Sequence, residues 1–296
     1  MVAKTEPIPV VLLDSGTAAV VASTIRSAIP PALDGSECVN RSQEEVQVLS
    51  RAVASATSGR FPEALDRLAL TLIGSPHSVV LRGLDVSGCG PATLAVTAAR
   101  LGAPFVEPDP AHGAISLLRP RTDRSMAGQV LNELLHTDST DRVVPNRLSC
   151  LLCVVPDVGG QGVSRVMSIT AARAVALGSL GVSGVERLGR PHPWRSGSSP
   201  TGVTWAPVFN HRRGSIRWMR NTIVQASDDR LVKLSAGLEH ELKVFERALE
   251  ASGAWSEVLL GPGDVLVLDN RRCLHSRSPI SRAVSSDRVL LRTKRR

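Results

Sequence analysis

The chain has 296 residues, of which 43% are hydrophobic, enough for a sizeable buried core in one large domain or two ordinary ones. No stretch approaches the roughly 20 uninterrupted apolar residues of a membrane-spanning helix. The N-terminal MVAKTEPIPVVLLDSG also lacks the basic start and long apolar run of a signal peptide. The sequence therefore predicts a cytoplasmic protein without a membrane partner.

The formal net charge of +8 raises the question of a nucleic-acid partner. Basic and acidic residues are interspersed along most of the chain, apart from RTKRR at its C-terminal end, and aromatic residues make up only 3%. Few aromatic rings are therefore available to stack bases. We do not expect nucleic acid as a partner, and a basic nucleic-acid-binding protein without catalysis is kept as an alternative.

The first 78 residues are predicted to be mainly helical. Apolar residues recur at helical spacing in AAVVASTIRSAI, SQEEVQVLSRAVASA and FPEALDRLALTLIG. In the second segment, Ser42 and Glu45 form the S-x-x-E pattern of a capping box. The strand SVVLRGLDV follows, and residues 89–102 are predicted as one more helix.

From residue 103 onward, short β-branched runs separated by Gly, Pro and Asn favour a sandwich or a barrel. The runs are GAISLLRP, RLSCLLCVVP, GVSRVMSI, GSIRWMRNTIV, DVLVLDN and DRVLLRT. Two interruptions are expected in this β region. One is a loop within about 183–215, rich in Gly, Ser and Pro, which could act as a lid. The other is a helix over about 228–252, which would cover one face of the sheet.

The five cysteines are scattered along the chain and odd in number, which indicates reduced thiols. Cys150 and Cys153 form a C-x-x-C, but no second pair stands at zinc-site spacing. In a strand these two side chains would point to opposite faces. We therefore expect buried structural thiols.

A candidate metal site begins at LLHTDS, where His136 and Asp138 are two residues apart. In an extended strand such side chains point to the same face. The best third ligand is His275, which follows the strand-like DVLVLDN and a turn. Two imidazoles and one carboxylate suit iron(II) with open positions or a catalytic zinc ion, and the ligand types alone do not separate these metals.

Around these residues the sequence resembles the iron(II)- and 2-oxoglutarate-dependent oxygenases of the taurine dioxygenase and clavaminate synthase-like group. The matching segments, in the family's order over about residues 79–292, are VVLRGL, LGAPF, LLHTDS, PNRLSCLLCVVPDVGGQGVS, GDVLVLDNRRCLHSRSPI and DRVLLR. The resemblance implies a mainly β fold with flanking helices, built on a double-stranded β-helix (jelly-roll, cupin-like). It implies a single oxygenase domain over 1–296, with a helical part at 1–78 and the jelly-roll core at 79–296.

Carried over by position, the resemblance makes His136, Asp138 and His275 the iron ligands. Arg288, thirteen residues after the distal histidine, corresponds to the arginine that binds the far carboxylate of 2-oxoglutarate. Ser164 stands where the family usually has a threonine that donates to the same carboxylate. The implied reaction uses O2 and converts 2-oxoglutarate to succinate and CO2.

The resemblance also implies a substrate side of the site. Arg292, four residues beyond Arg288, corresponds to an arginine that often meets an acidic group of the substrate, and Arg217 and Arg220 could line the same pocket. Asp138 favours hydroxylation, desaturation or cyclisation, because halogenating relatives replace this carboxylate.

The expected substrate is a small, carboxylate-bearing molecule, either amino-acid-like or an intermediate of natural-product biosynthesis. A zinc-dependent hydrolase with the same three ligands is the alternative enzyme. The identity of the substrate and the oligomeric state are left open.

Overall fold

The computed structural model describes residues 6–29, 42–105, 115–118, 133–157, 161–278 and 288–296. The helices in these ranges are α1 (Ser15–Ala28), α2 (Gln43–Ala56), α3 (Arg60–Ile73), α4 (Gly90–Ala99), α5 (Ile169–Leu188), α6 (Arg220–Asp228) and α7 (Ala236–Ser252). None of these helices is both long and apolar enough to cross a bilayer.

The same ranges contain thirteen strands. They are β1 (Val10–Leu12), β2 (Ser78–Arg82), β3 (Ile115–Leu118), β4 (Leu148–Val155), β5 (Ser164–Ser168), β6 (Pro191–Arg195), β7 (Val203–Pro207), β8 (Phe209–Asn210), β9 (Ser215–Ile216), β10 (Ser256–Val258), β11 (Val265–Asp269), β12 (Cys273–Arg277) and β13 (Val289–Arg295).

Two sheets form the centre of the fold. The larger has the order β1-β2-β11-β4-β13-β3, with antiparallel neighbours except for the parallel pair β1–β2. The smaller has the order β10-β5-β12 and is antiparallel. An apolar cluster joins residues of both sheets, among them Val80, Val166, Leu266, Cys273 and Leu290. This arrangement confirms the predicted jelly-roll.

The N-terminal helices cover the outer face of the larger sheet. Their apolar faces share one cluster with residues of β2, β4 and β11, such as Val79, Leu152 and Val267. Helix α2 begins as predicted: Ser42 Oγ accepts a hydrogen bond from the Glu45 N–H at 3.1 Å, and the Glu45 carboxylate accepts one from the Ser42 N–H at 2.7 Å.

Helices α5 and α7 cover the outer face of the smaller sheet. Leu242, Phe245 and Leu249 of α7 pack in one cluster with the register partners Met167 and Leu274 of β5 and β12. The expected helix over 228–252 therefore covers a sheet face, as predicted. Its predicted start was wrong, because α6 ends at Asp228 and α7 begins only after the cap at Ser235, whose hydroxyl accepts from the Leu238 N–H at 3.2 Å. Its end at Ser252 agrees with the prediction.

Two further expectations for the β region were wrong. The segment 183–215 is not one long loop, since it contains the end of α5 and the hairpin β6–β7. The run GSIRWMRNTIV is a strand only at Ser215–Ile216 and becomes helix α6 from Arg220. Helix α5 and the three-residue strand β1 were not predicted.

The cysteines follow the prediction where the structure describes them, and Cys38 lies outside the described residues. Cys89, Cys150, Cys153 and Cys273 are buried free thiols. Cys150 belongs to the outer cluster and Cys153 to the cluster between the sheets, so they do lie on opposite faces of β4.

We expect Gly263→Ala to lower the free energy of unfolding by about 3–5 kcal/mol. Gly263 has φ +80°, and an added Cβ would overlap the carbonyl oxygen of Leu84. Gly214→Ala is the matched control, since φ is +55° but the space around it is open, and about 1–2 kcal/mol is expected there. Urea unfolding of both variants measures the difference, and equal losses would contradict the steric argument.

Candidate metal centre

His136, Asp138 and His275 meet at one point, as the sequence predicted. Their ligand atoms all lie within 4.8 Å of one another, and the residues are 5%, 5% and 9% exposed. A backbone bridge brings the two histidines together, with the His136 N–H donating to the His275 carbonyl at 3.0 Å and the reverse bond at 2.9 Å. The sequence predicted His136 and Asp138 on one extended strand. Of the two, only His136 is paired in a β-bridge, and Asp138 begins a turn.

Both imidazoles are neutral, and a hydrogen bond orients that of His136. His136 Nδ1 lies 2.8 Å from the Leu134 carbonyl oxygen, which fixes Nδ1 as the donor and leaves Nε2 to bind a metal. His275 Nε2 lies 3.8 Å from Asp138 Oδ2. Burial lowers the pKa of His136 and lowers that of His275 to about 3, so both rings are neutral near pH 7. Neutral imidazole is the metal-binding form.

The Asp138 carboxylate is ionised and held on both oxygens. Ser149 Oγ donates to Oδ2 at 2.6 Å, and Arg292 Nη1 lies 3.0 Å from Oδ1. Burial alone would raise the pKa of Asp138, but the charges of Arg292 and Lys294 hold it well below its usual value. The acid is therefore a charged acceptor at neutral pH.

A buried amide fixes the backbone of Asp138. Asn270 Oδ1 accepts from the Asp138 N–H at 2.7 Å, and Asn270 Nδ2 lies 3.1 Å from both the Asp138 and the Asn146 carbonyl oxygens. Asn146 Nδ2 in turn donates to Ser149 Oγ at 3.0 Å. The roles of Asn146, Ser149 and Asn270 were not predicted from the sequence.

The donor set fits a divalent metal. Two neutral nitrogens and one carboxylate on one side of a metal ion leave the other side open to further ligands, the arrangement of non-haem iron(II) sites. Hydrogen bonds from outside the donor set already orient His136 and Asp138. The three residues could therefore hold iron(II) without a large rearrangement.

The surface beside the triad is cationic. Leu290, Arg292 and Lys294 are two residues apart along β13, so their side chains lie on the same face of the strand. Leu290 belongs to the cluster between the sheets, so this face points inward. Lys294 Nζ lies 3.0 Å from Ser139 Oγ. Arg277, two residues after His275 on β12, is a further cation on this side.

The two residues expected to bind 2-oxoglutarate are also buried. Arg288 and Ser164 are each 5% exposed. Arg288 stands two residues before the inward-facing Leu290, and Ser164 two residues before the inward-facing Val166. Burial lowers the pKa of Arg288, which still leaves it charged near pH 7.

Arg217 and Arg220 are engaged elsewhere. Arg217 Nη2 donates to the carbonyl oxygens of Arg142 and Val143 at 2.7 and 3.1 Å, and its guanidinium lies over the ring of Trp194. Arg220 Nε donates to the Glu246 carboxylate at 2.8 Å. Their assignment to substrate binding stays a prediction to which these contacts give no support.

A separate cavity of about 430 Å³ lies between α2, α4 and the end of β13. Its walls include Val46, Ala95 and Ile115, and the side chain of Arg295 lines it. Arg295 is the neighbour of Lys294 in an extended strand and points to the opposite face. The cavity is therefore not part of the metal centre.

A comparison with sequence models of protein families finds a match over residues 53–294 to the family described as taurine catabolism dioxygenase TauD, TfdA family. The chain belongs to this family. TauD/TfdA proteins use 2-oxoglutarate and O2 with a non-haem iron, so the chain is a non-haem iron, 2-oxoglutarate-dependent dioxygenase. The resemblance found in the sequence is confirmed. No curated protein matches the chain.

Solved TauD-like oxygenases share the fold over nearly the whole chain. Asparagine oxygenase in complex with Fe(II), 2S,3S-3-hydroxyasparagine and succinate has a TM-score of 0.73 at 20% identity, covering 97% of this chain and 93% of its own. The non-haem iron oxygenase OrfP in complex with Fe, succinate and (3R,4R)-dihydroxy-L-Arg has a TM-score of 0.65 at 18% identity, covering 97% and 94%.

We expect Ser149→Ala to weaken metal binding by roughly 10- to 100-fold, because it removes the hydrogen bond that orients Asp138. Titration of Mn(II) into metal-free protein by calorimetry measures the effect. Ser179→Ala is the control, since Ser179 Oγ bonds within an exposed part of α5. Unchanged affinity in Ser149→Ala would show that this serine does not orient the ligand.

Proposed function

We propose that the protein oxidises an unactivated C–H bond of a small amino-acid-like substrate that carries a carboxylate. His136, Asp138 and His275 would hold the iron, and Arg288 and Ser164 would bind 2-oxoglutarate. The observation that carries the proposal is the buried triad, whose ligand atoms lie within 4.8 Å of one another.

When bound, iron with 2-oxoglutarate would supply the oxidising power. In a hydroxylation, 2-oxoglutarate is converted to succinate and CO2; one oxygen atom of O2 enters succinate and the other enters the substrate. The protein's part is to position the reactants and to exclude water. Ser149, Asn270 and the backbone bridge of the histidines hold the ligands in place. The apolar residues between the sheets line the space beside them.

Charge supports a carboxylate-bearing substrate. Among the described residues, the cationic side chains beside the triad are Arg277, Arg288, Arg292 and Lys294, and the carboxylates that act on these groups or on the triad include Asp138, Glu133 and Asp157. This concentration of cationic groups beside the metal ligands favours an anionic group on the substrate. A substrate carboxylate would supply such a group.

Arg292 is the proposed partner of that carboxylate. It is the inward-facing arginine in direct contact with a member of the triad, so an anion bound to its guanidinium would lie next to the metal. A planar guanidinium suits a carboxylate through two parallel hydrogen bonds. The proposal also agrees with the solved structures that share the fold, which contain 3-hydroxyasparagine or dihydroxyarginine.

The family match favours neither alternative from the sequence, the zinc hydrolase or the nucleic-acid-binding protein. A cytoplasmic location stays a prediction.

The decisive experiment is turnover of 2-oxoglutarate by protein purified without oxygen and loaded with Fe(II). We expect succinate to form faster when one member of a panel of free amino acids is present, and mass spectrometry to find an oxidised product of that amino acid. His136→Ala should abolish both signals. Ester or amide hydrolysis by zinc-loaded protein, with no 2-oxoglutarate turnover in the iron form, would contradict the proposal.

Arg292→Met should remove the preference for a substrate carboxylate. We expect kcat/KM for the amino acid to fall by roughly 10- to 150-fold, the worth of a hydrogen-bonded charged group, with little change for the matching carboxamide. Because Arg292 also contacts Asp138, Mn(II) affinity is measured in parallel.

Arg220→Met is the control for this variant, since its guanidinium is paired with Glu246. It should keep the discrimination between acid and amide. Retained discrimination in Arg292→Met would assign the substrate carboxylate to another cation, and lost discrimination in Arg220→Met would bring that residue into the pocket.

A further inference from the structure

We propose that Arg277 is a second guanidinium for the far carboxylate of 2-oxoglutarate, acting together with Arg288 and Ser164. The inference rests on the proposed function, because it assumes that 2-oxoglutarate binds beside the triad. It adds to that function a residue that the sequence analysis did not single out.

The strand register places Arg277 on the wall that faces the triad. His275 and Arg277 are two residues apart on β12, so their side chains lie on the same face of the strand. Cys273, two residues before His275, packs between the sheets and identifies that side as the inner one. Arg277 and Ser164 are direct register partners across β12 and β5.

The side chain of Arg277 has donor capacity to spare. Its Nη1 is buried and has no hydrogen-bond partner among the residues that the structure describes. The carboxylate paired with this guanidinium is that of Glu133, at 3.7 Å from Nη2, which is too long for a hydrogen bond. Leaving a buried donor of a charged group unpaired is costly, so the position favours an anionic ligand.

The charge of Arg277 acts on Arg288. Burial is the main cause that lowers the pKa of Arg288, and the charge of Arg277 lowers it further. Two guanidiniums close enough to influence each other favour binding of an anion between them. A carboxylate offers acceptor sites for both guanidiniums and for the Ser164 hydroxyl.

The competing interpretation gives Arg277 only the ion pair with Glu133. The two interpretations differ in one measurable respect. A guanidinium that contacts the far carboxylate must distinguish 2-oxoglutarate from 2-oxopentanoate, which has the same 2-oxo acid end and chain length but no second carboxylate. A merely structural arginine changes the affinity for both compounds alike.

The test is calorimetric titration of both compounds into Mn(II)-loaded protein, which binds without turnover. We expect Arg277→Met to weaken 2-oxoglutarate binding by roughly 10- to 150-fold and to leave 2-oxopentanoate within about twofold of wild type. Arg277→Lys should recover part of the loss, because it keeps the charge but not the planar fork. Glu133→Gln is the matched control and should bind 2-oxoglutarate at least as tightly as wild type.

Equal weakening for the two compounds, or no weakening in either Arg277 variant, would overturn the inference and leave the proposed function standing. Loss of 2-oxoglutarate affinity in Glu133→Gln to the level of Arg277→Met would assign the effect to the ion pair and would also overturn it. Wild-type protein that binds 2-oxoglutarate no better than 2-oxopentanoate would refute the proposed function itself. If Arg277→Met does not fold, the Arg277→Lys comparison decides.

Discussion

The site depends on one ionised carboxylate kept inside the protein. Asp138 is 5% exposed, and a buried ion without partners would be destabilising by several kcal/mol. Ser149 from β4 and Arg292 from β13 bind its carboxylate, and Asn270 from the turn after β11 binds its backbone. The charged form of this acid is therefore stable only when strands β4 and β13 have come together around it.

The strand order explains how distant segments meet. Strand β11 lies in the larger sheet and β12 in the smaller one, so the short connection between them crosses from one sheet to the other. That connection contains Asn270, and β12 then presents His275. The crossing from one sheet to the other therefore also builds the metal centre.

The features that the sequence predicted are those with local or family-wide signals. The capping box of α2 needs only Ser42 and Glu45, and the triad lies in segments with a recognisable pattern. Helix α5 was missed because glycines interrupt its apolar spacing and Gly181 has a left-handed φ of +69° that kinks it. The role of Asn270 depends on a residue 132 positions away, which spacing along the chain cannot reveal.

The sequence also does not reveal which partners the arginines proposed for substrate binding have in the folded protein. Arg217 and Arg220 are close in sequence and both basic, yet one binds backbone carbonyls and the other pairs with a helix acid. Both were candidates from the sequence, whereas their partners come from α7 and from the turn after Asp138. Arg292, in contrast, lies on the inward face of β13, a position that strand alternation determines.

The buried thiols bear on how such a protein withstands its own chemistry. Cys273 lies two residues from His275, and burial raises the pKa of its thiol well above the usual value; burial raises that of Cys153 to about 11. Oxidants and metal ions react with the thiolate rather than the thiol. Both sulfurs are therefore held as thiols at neutral pH, the form that reacts more slowly with oxidants, in a protein whose reaction consumes oxygen.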